Sequence, residues 1–392
     1  MKHSIYKPQI LNDINRDNIA GGLMTGMLGI IGPPVMVIEA ANAGMISHEQ
    51  TITWFYGVHI FGALLGLIMS LYYRMPIVGA HSITGVAFLV TVTPYFTFEE
   101  LVGSYIITAL IVILFGVSGI FKKVMSWIPR EIIAAMLAGI ISSYVFGIIP
   151  AAIEMPAIGL TTILVFFIFR KWDLIIPPML AGVFTAVIMY FVLNHFDFSA
   201  IGTTPVAPTF TVPEFSISAI ISITLPLTLL ILSNDATPAI GALESNGYKV
   251  PVNNILTASG IASLGATIFG GQSANVGGMM TTIASDHASG EKSKRYISSV
   301  ISSVVMIIFA VFAWALVPLM FDLPASLMAI LTGFVLIGVF SSTLKRSFSN
   351  PKYTMSVIFA FIISASGITY FYISAPIWAL LIGTIIAKFI ED

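Results

Sequence analysis

Asp235 is the residue whose chemistry most needs a place. It follows about twenty uncharged residues and sits in Ser233-Asn-Asp-Ala-Thr-Pro238, where Pro238 interrupts the helical ladder and exposes carbonyls. An ionisable group in so apolar a stretch is costly; it either works on a proton or substrate or caps the break. At about 1.5 Å per helical residue it lies some 21 Å from Lys249, near mid-membrane. His81 is the second such group. Its charge can change in the working pH range, so it either handles a proton or steadies a crossing of two segments.

Around His81, Gly79-Ala-His-Ser-Ile-Thr-Gly85 shares a glycine-to-glycine spacing of six with Gly271-Gln-Ser-Ala-Asn-Val-Gly277. If residues 76–80 are extended, at roughly 3.3 Å per residue His81 lies about 23 Å in from Arg74. Helix is then expected to resume at 82–84, and a second half-helix to begin within 272–275 at a similar depth. Two helix N-termini facing each other offer free N–H groups and positive dipole ends, which favour an anion. Ser82, Thr84, Ser273 and Asn275 add side-chain donors, and Gln272, next to Ser273, and Asn234, next to Asp235, join them as candidates. A small carboxylate suits this arrangement better than a cation. Gly29, Gly32, Pro33 and Pro34 are read as opening the first span toward the same centre. Glu39 and Glu244, followed by Asn42 and Asn246, are secondary acidic candidates. His59 is read as a packed residue, and Phe88, Tyr144 and Phe146 could stack on an aromatic ligand.

The elements that must hold these groups are membrane spans. With 57% hydrophobic and 9% charged residues in 392, one water-soluble core cannot bury the apolar surface. Apolar segments fall at 19–41, 53–73, 76–94, 100–121, 130–150, 156–170, 173–194, 216–248, 252–270, 272–288, 296–319, 325–343, 353–370 and 374–390. The continuous series leaves no soluble domain and makes the first segment a span, not a cleaved signal. Loop charges test the division, because Lys and Arg of short loops stay in the cytoplasm. All 17 basic residues fall on one face, from Lys2, Lys7, Arg16 and Arg74 to Arg346, Lys352 and Lys388. The alternate connections carry Glu49, Glu99, Glu100, Glu154, Asp197, Glu214 and Asp322 and no base. The expectation is an all-α, multi-pass protein of the cytoplasmic (inner) membrane with fourteen spans and both termini cytoplasmic.

Repetition gives the spans an order. Besides the paired glycine motifs, residues 129–139 resemble 324–333, 178–182 pair with 376–383, and Asn42-Ala-Gly44 pairs with Asn246-Gly247, all about half a chain apart. Each half then holds seven spans, and an odd number inverts the second copy relative to the first. The division is 1–195 (core 19–121, gate 130–194) and 196–392 (core 216–319, gate 325–390), with spans three and ten as short half-helices.

No cysteine is present, which excludes disulfides and thiolate metal sites. No nucleotide loop, nucleophile elbow or zinc-protease motif occurs, so neither an enzyme nor a cofactor, metal or nucleic-acid partner is expected. A non-transporting scaffold would have no use for a buried acid or broken spans.

Leu225-Pro226, Ser233-Asn-Asp-Ala-Thr-Pro238, Ser245-Asn-Gly-Tyr248, Gly270-Gly-Gln-Ser-Ala-Asn-Val-Gly277 and Lys294-Arg295 resemble the benzoate:proton symporter (BenE-type) family. In the first half, Arg74-Met-Pro76 and Ala135-Met-Leu-Ala-Gly139 agree. That family is related in fold to the uracil/xanthine permeases and sulfate transporters. The resemblance implies a core of spans one to four and eight to eleven, a gate of the remainder, and a homodimer formed through the gate in many relatives. It also implies proton-coupled symport of a small organic anion by alternating access. Asp235 falls near the permeases' acid in span eight, and Asn275 matches their Asn in span ten. Ala274 stands where they carry Glu, which argues against a nucleobase. The benzoate family typically carries Gln-Asn where this chain has Asn234-Asp235. The leading reading is a symporter of benzoate or a related aromatic carboxylate, with Asp235 and His81 as the proton-handling groups. The alternatives are a nucleobase:proton symporter and an anion channel or exchanger on the same fold.

Overall fold

The computed structural model describes residues 10–121, 123, 127–172, 176–194, 204–370 and 373–391. Lys2, Lys7, Lys122, Asp197 and the expected repeat boundary after residue 195 lie outside these residues.

Helices dominate. In chain order they are α1 (Arg16–Ala43), α2 (His48–Tyr73), α3 (Ile83–Val90), α4 (Phe98–Ser118), α5 (Arg130–Phe146), α6 (Ile148–Glu154), α7 (Pro156–Lys171) and α8 (Pro178–Leu193). The second half supplies α9 (Ile217–Ser245), α10 (Val252–Ile268), α11 (Gly278–Ser285), α12 (Tyr296–Val311), α13 (Ala313–Phe321), α14 (Ala325–Ser347), α15 (Thr354–Ala365) and α16 (Ala375–Phe389). Each of the fourteen apolar segments contains a helix. Among the described residues six helices, counting α5 with α6 as one, are long and apolar enough to cross a bilayer; α12 and α13 make a seventh if their 69° bend lies within one span.

Local sequence explains where several begin and deform. Capping boxes start α1 (Asn15 with Asn18), α2 (Ser47 with Gln50) and α4 (Thr97 with Glu100), each satisfying backbone donors that the first turn leaves free. Within α9, π-helical turns at Ile220–Thr224 and Ile231–Ala236 each end two residues before a proline, Pro226 and Pro238. A proline has no N–H to give the carbonyl one turn back, so the ladder shifts to a wider ring. The Thr237 hydroxyl donates to the Leu232 carbonyl at 2.7 Å across the second of these turns.

The helices pack as two groups. In one, α12 lies on α1 and α2, α10 on α4 and α2, and α11 on the end of α9. In the other, α14 and α15 lie on α5, α16 on α15, and α8 on α7 and α14. Small residues permit the close approaches in the first group: Gly21, Gly22 and Gly26 of α1 meet Ser298, Ile301 and Val305 on or beside α12.

At the centre of the first group two extended strands, β1 (Gly79–Ala80) and β2 (Asn275–Val276), pair antiparallel, with Gly79 opposite Val276 and Ala80 opposite Asn275. Extended backbone inside a membrane protein needs partners from its neighbours. Ser70 and Ser299 both donate to the Ile77 carbonyl, at 2.8 and 2.6 Å, and Ser263 bonds both the N–H and the carbonyl of Ala274. Gly79 crosses α2 so closely that a Cβ there would lie 1.9 Å from the Gly62 carbonyl oxygen. One expectation is corrected here. The second short helix does not begin within 272–275, because Asn275 and Val276 are engaged in the strand pair; it begins at Gly278.

Candidate functional site

The strand pair sets two short helices nose to nose. Ser82 follows β1 and caps α3, its hydroxyl accepting from the Gly85 N–H at 3.0 Å. Gly277 follows β2, has no capping side chain, and opens α11. A cavity of about 80 Å³ lies where both helices start. Ala80, His81 and Ile83 line it from the first strand and helix, Gly277, Gly278 and Met280 from the second, Gly32 and Pro33 from α1, and Asp235 from α9.

Asp235 is buried, and its carboxyl faces the side chains of Ser82 and Asn275, so it stands between the two crossing segments. Its Oδ2 has no hydrogen-bond partner among the described residues. The π turn at Ile231–Ala236 brings it there, and the Asp235 carbonyl lies against Gly278, where a Cβ would sit 3.0 Å from it.

His81 is oriented by a chain of donors whose direction can be read. Trp54 Nε1 can only donate, and it lies 2.6 Å from Gln272 Oε1. Gln272 therefore presents its Nε2 to His81 Nδ1, at 2.9 Å, and Nδ1 must accept. In the neutral ring the proton is then on Nε2, which has no partner among the described residues and belongs to a side chain on the cavity wall. Replacing Gln272 with Leu strands one donor and one acceptor, and is expected to cost about 2–4 kcal/mol. A fall in melting temperature of the purified variant measures this, and an unchanged melting point would contradict the assignment.

The remaining candidates separate into distinct environments. Ser273 accepts from the Ser82 N–H at 3.1 Å, Thr84 lies 3.3 Å from the Ser82 hydroxyl, and Asn275 donates to the Val276 carbonyl at 3.1 Å. Together with Gln272 these residues tie the crossing together behind the cavity. Asn234 and Glu244 line a different cavity, while Glu39 is half-buried near Tyr144. Phe88 is buried and Phe146 exposed, and neither they nor Tyr144 line the central cavity. Pro33 and Pro34 leave α1 helical throughout, but Pro33 cannot donate to the Gly29 carbonyl, against which the His59 ring stands.

Two groups of residues, one on the cavity wall and one just behind it, carried no signal in the sequence. Met179, Leu180, Val335 and Val339 form the apolar wall from α8 and α14, and nothing separates them from other residues of apolar helices. His59, read as packing, places its ring edge-on to His81 with centroids 5.2 Å apart. Only the close crossing of β1 over α2, where Gly79 meets Gly62 and Gly66, could have brought that out.

The family model described as "BenE: Benzoate membrane transport protein" matches residues 12–389. The chain belongs to the benzoate membrane transport protein family. The transporter is 29% identical over 381 residues to the benzoate membrane transport protein of Acinetobacter baylyi, covering 95% of this chain and 96% of that one. It is 25% identical over 367 residues to the inner membrane protein YdcO of Escherichia coli, covering 93% of each. Among solved structures it resembles the transmembrane domain of a cyanobacterial bicarbonate transporter, BicA, with a TM-score of 0.60, 15% identity and 98% of both chains covered. It also resembles the murine anion transporter Slc26a9 in its inward-facing state, with a TM-score of 0.55, 15% identity, and 97% of this chain and 68% of that one covered. At such identities these two likenesses speak for the fold: a multi-pass, helical membrane-transporter architecture.

Proposed function

We propose that this transporter carries a small aromatic carboxylate of the benzoate type together with a proton, by alternating access. One observation carries the reading: an acid, Asp235, shares a cavity with the N-terminal turns of two short helices. The N–H groups at the uncapped start of α11 and the His81 Nε2–H are donors suited to a carboxylate, and Leu28, Met179, Leu180 and Val335 offer apolar contact to a ring. A charged Asp235 opposes that cargo. Two like charges about 5 Å apart at an effective dielectric of about 20 repel by roughly 3 kcal/mol. Protonating Asp235 removes the repulsion and leaves an O–H to donate, so proton and carboxylate bind as a pair. In this assignment Asp235 carries the proton and His81 binds cargo.

The cavity wall draws on both helix groups, α1, α3, α9 and α11 from one and α8 and α14 from the other. A shift of one group against the other would open it to one side at a time. We assign the groups to core and gate, the chain to two inverted sevens (1–195 and 196–392), and the basic face with both termini to the cytoplasm. The antiparallel crossing of β1 and β2 fits opposed copies. We extend the family resemblance to a homodimer formed through the gate.

Radiolabelled benzoate uptake into proteoliposomes tests the reading, with salicylate, uracil and sulfate as competitors. Acid outside and alkali inside is expected to drive accumulation that an uncoupler collapses, with uracil and sulfate ineffective. Flux that follows voltage alone and ignores the uncoupler identifies a channel and overturns symport.

A further inference from the structure

A second cavity, of about 560 Å³, lies between the two helix groups at the end where α5 begins and α14 finishes. Arg130 and Arg346 line it from α5 and α14, and Ser233, Asn234, Thr237 and Glu244 line it from α9. Asn234 and Asp235 are consecutive, yet the first opens into this cavity and the second into the central one. The π turn of α9 is therefore the partition between the two cavities.

The charges here are unbalanced. Two guanidiniums face one carboxylate, and among the described residues no acid lies within the 4 Å of an ion pair with either arginine. Arg346 instead donates from Nη2 to the Asn234 Oδ1 at 3.1 Å. A neutral amide oxygen is a single acceptor for a planar fork that matches both oxygens of a carboxylate. The cavity is also within the size range of small-molecule sites.

We propose that this cavity is a second binding site for the carboxylate cargo, in which the carboxylate takes Arg346 from Asn234 and Arg130 adds the second positive charge. The identity of the cargo rests on the function proposed above; the site rests on the two arginines. The Arg346–Asn234 bond also ties α14 to α9, across the seam between the helix groups. Cargo that captures Arg346 releases that tie, so occupancy of this second cavity loosens the groups beside Asp235. On the assignment of the basic face to the cytoplasm, this is the station through which cargo leaves the central cavity.

Fluorine NMR of 4-fluorobenzoate titrated into the purified protein in nanodiscs tests the site. Wild type is expected to show two saturable sites. Arg346→Gln should weaken one of them at least tenfold and leave the other within twofold. Arg346→Lys, which keeps the charge and loses the fork, should recover part of that loss, and Arg130→Gln should weaken the same site. Melting curves of each variant confirm that it is folded. A single site in wild type, or two sites that neither arginine substitution moves beyond twofold, overturns the proposal and leaves symport standing. An arginine-dependent site in a protein with no proton-driven uptake overturns symport and leaves the site. Absence of any 4-fluorobenzoate binding overturns both.

Discussion

Asp235→Asn is expected to abolish proton-driven accumulation of benzoate while leaving a protein that still binds it. The amide keeps the shape of the carboxyl beside Ser82 and Asn275 but carries neither charge nor exchangeable acid. On the proposed symport of one proton with each carboxylate, wild-type affinity should fall about tenfold per pH unit once the acid ionises. The sign follows from the repulsion: raising the pH deprotonates Asp235 and drives the cargo out. In the Asn variant that dependence should be flat. The repulsion of roughly 3 kcal/mol sets the span of the wild-type curve at about 100-fold or more between acid and alkaline limits. Binding measured from acid to alkaline pH, beside uptake with and without a proton gradient, checks both halves. A steep pH dependence surviving in Asp235→Asn would move the proton to another group, and His81 would be the first to test.

Gly79→Ala is expected to produce the largest loss of stability from a single added methyl. Its Cβ would lie 1.9 Å from the Gly62 carbonyl oxygen and 2.6 Å from the Gly66 N–H nitrogen, and both are helix backbone that cannot swing aside. Relief requires β1 to lift from α2, which strains the pairing with Asn275 and Val276 and moves His81 with it. The cost should reach roughly 3 kcal/mol, the upper end for overpacking. Gly241→Ala is the control, since a Cβ there meets nothing within 4 Å, and a gain of roughly 0.5–1 kcal/mol from helix propensity is expected. Melting of the two variants by size-exclusion analysis separates them. Equal melting points would mean that β1 does not cross α2 as closely as described.

How much of this was legible varies with the kind of residue. Asp235 and His81 stood out because ionisable groups are rare in apolar chain, and a Gly-to-Gly repeat around one of them marked backbone that could not be ordinary helix. The start of α3 was legible too, since extended chain over residues 76–80 left helix to resume at 82–84, and it begins at Ile83. The start of α11 was not, because Asn275 is by type a helix-capping residue and a poor strand former, and its pairing with Ala80 overrode that preference. Gln272 and Ser273 read as ligand donors from their type and position. In the fold they hold Trp54, His81 and Ser82 in place, which depends on neighbours far away in sequence.

By itself, the amino-acid sequence determined that this chain lives in lipid, where its helical segments run, and which ionisable groups sit deep within them, since hydropathy and charge are properties of residues one at a time. Tertiary structure decided which of those groups share a cavity. A π turn of α9 turned Asp235 inward and Asn234 outward, and the β1–β2 crossing brought two helix starts together. Those outcomes depend on backbone direction and long-range pairing, to which one-dimensional pattern is blind. Apolar walls such as Met179 and Val335 acquire a role only from what stands opposite them.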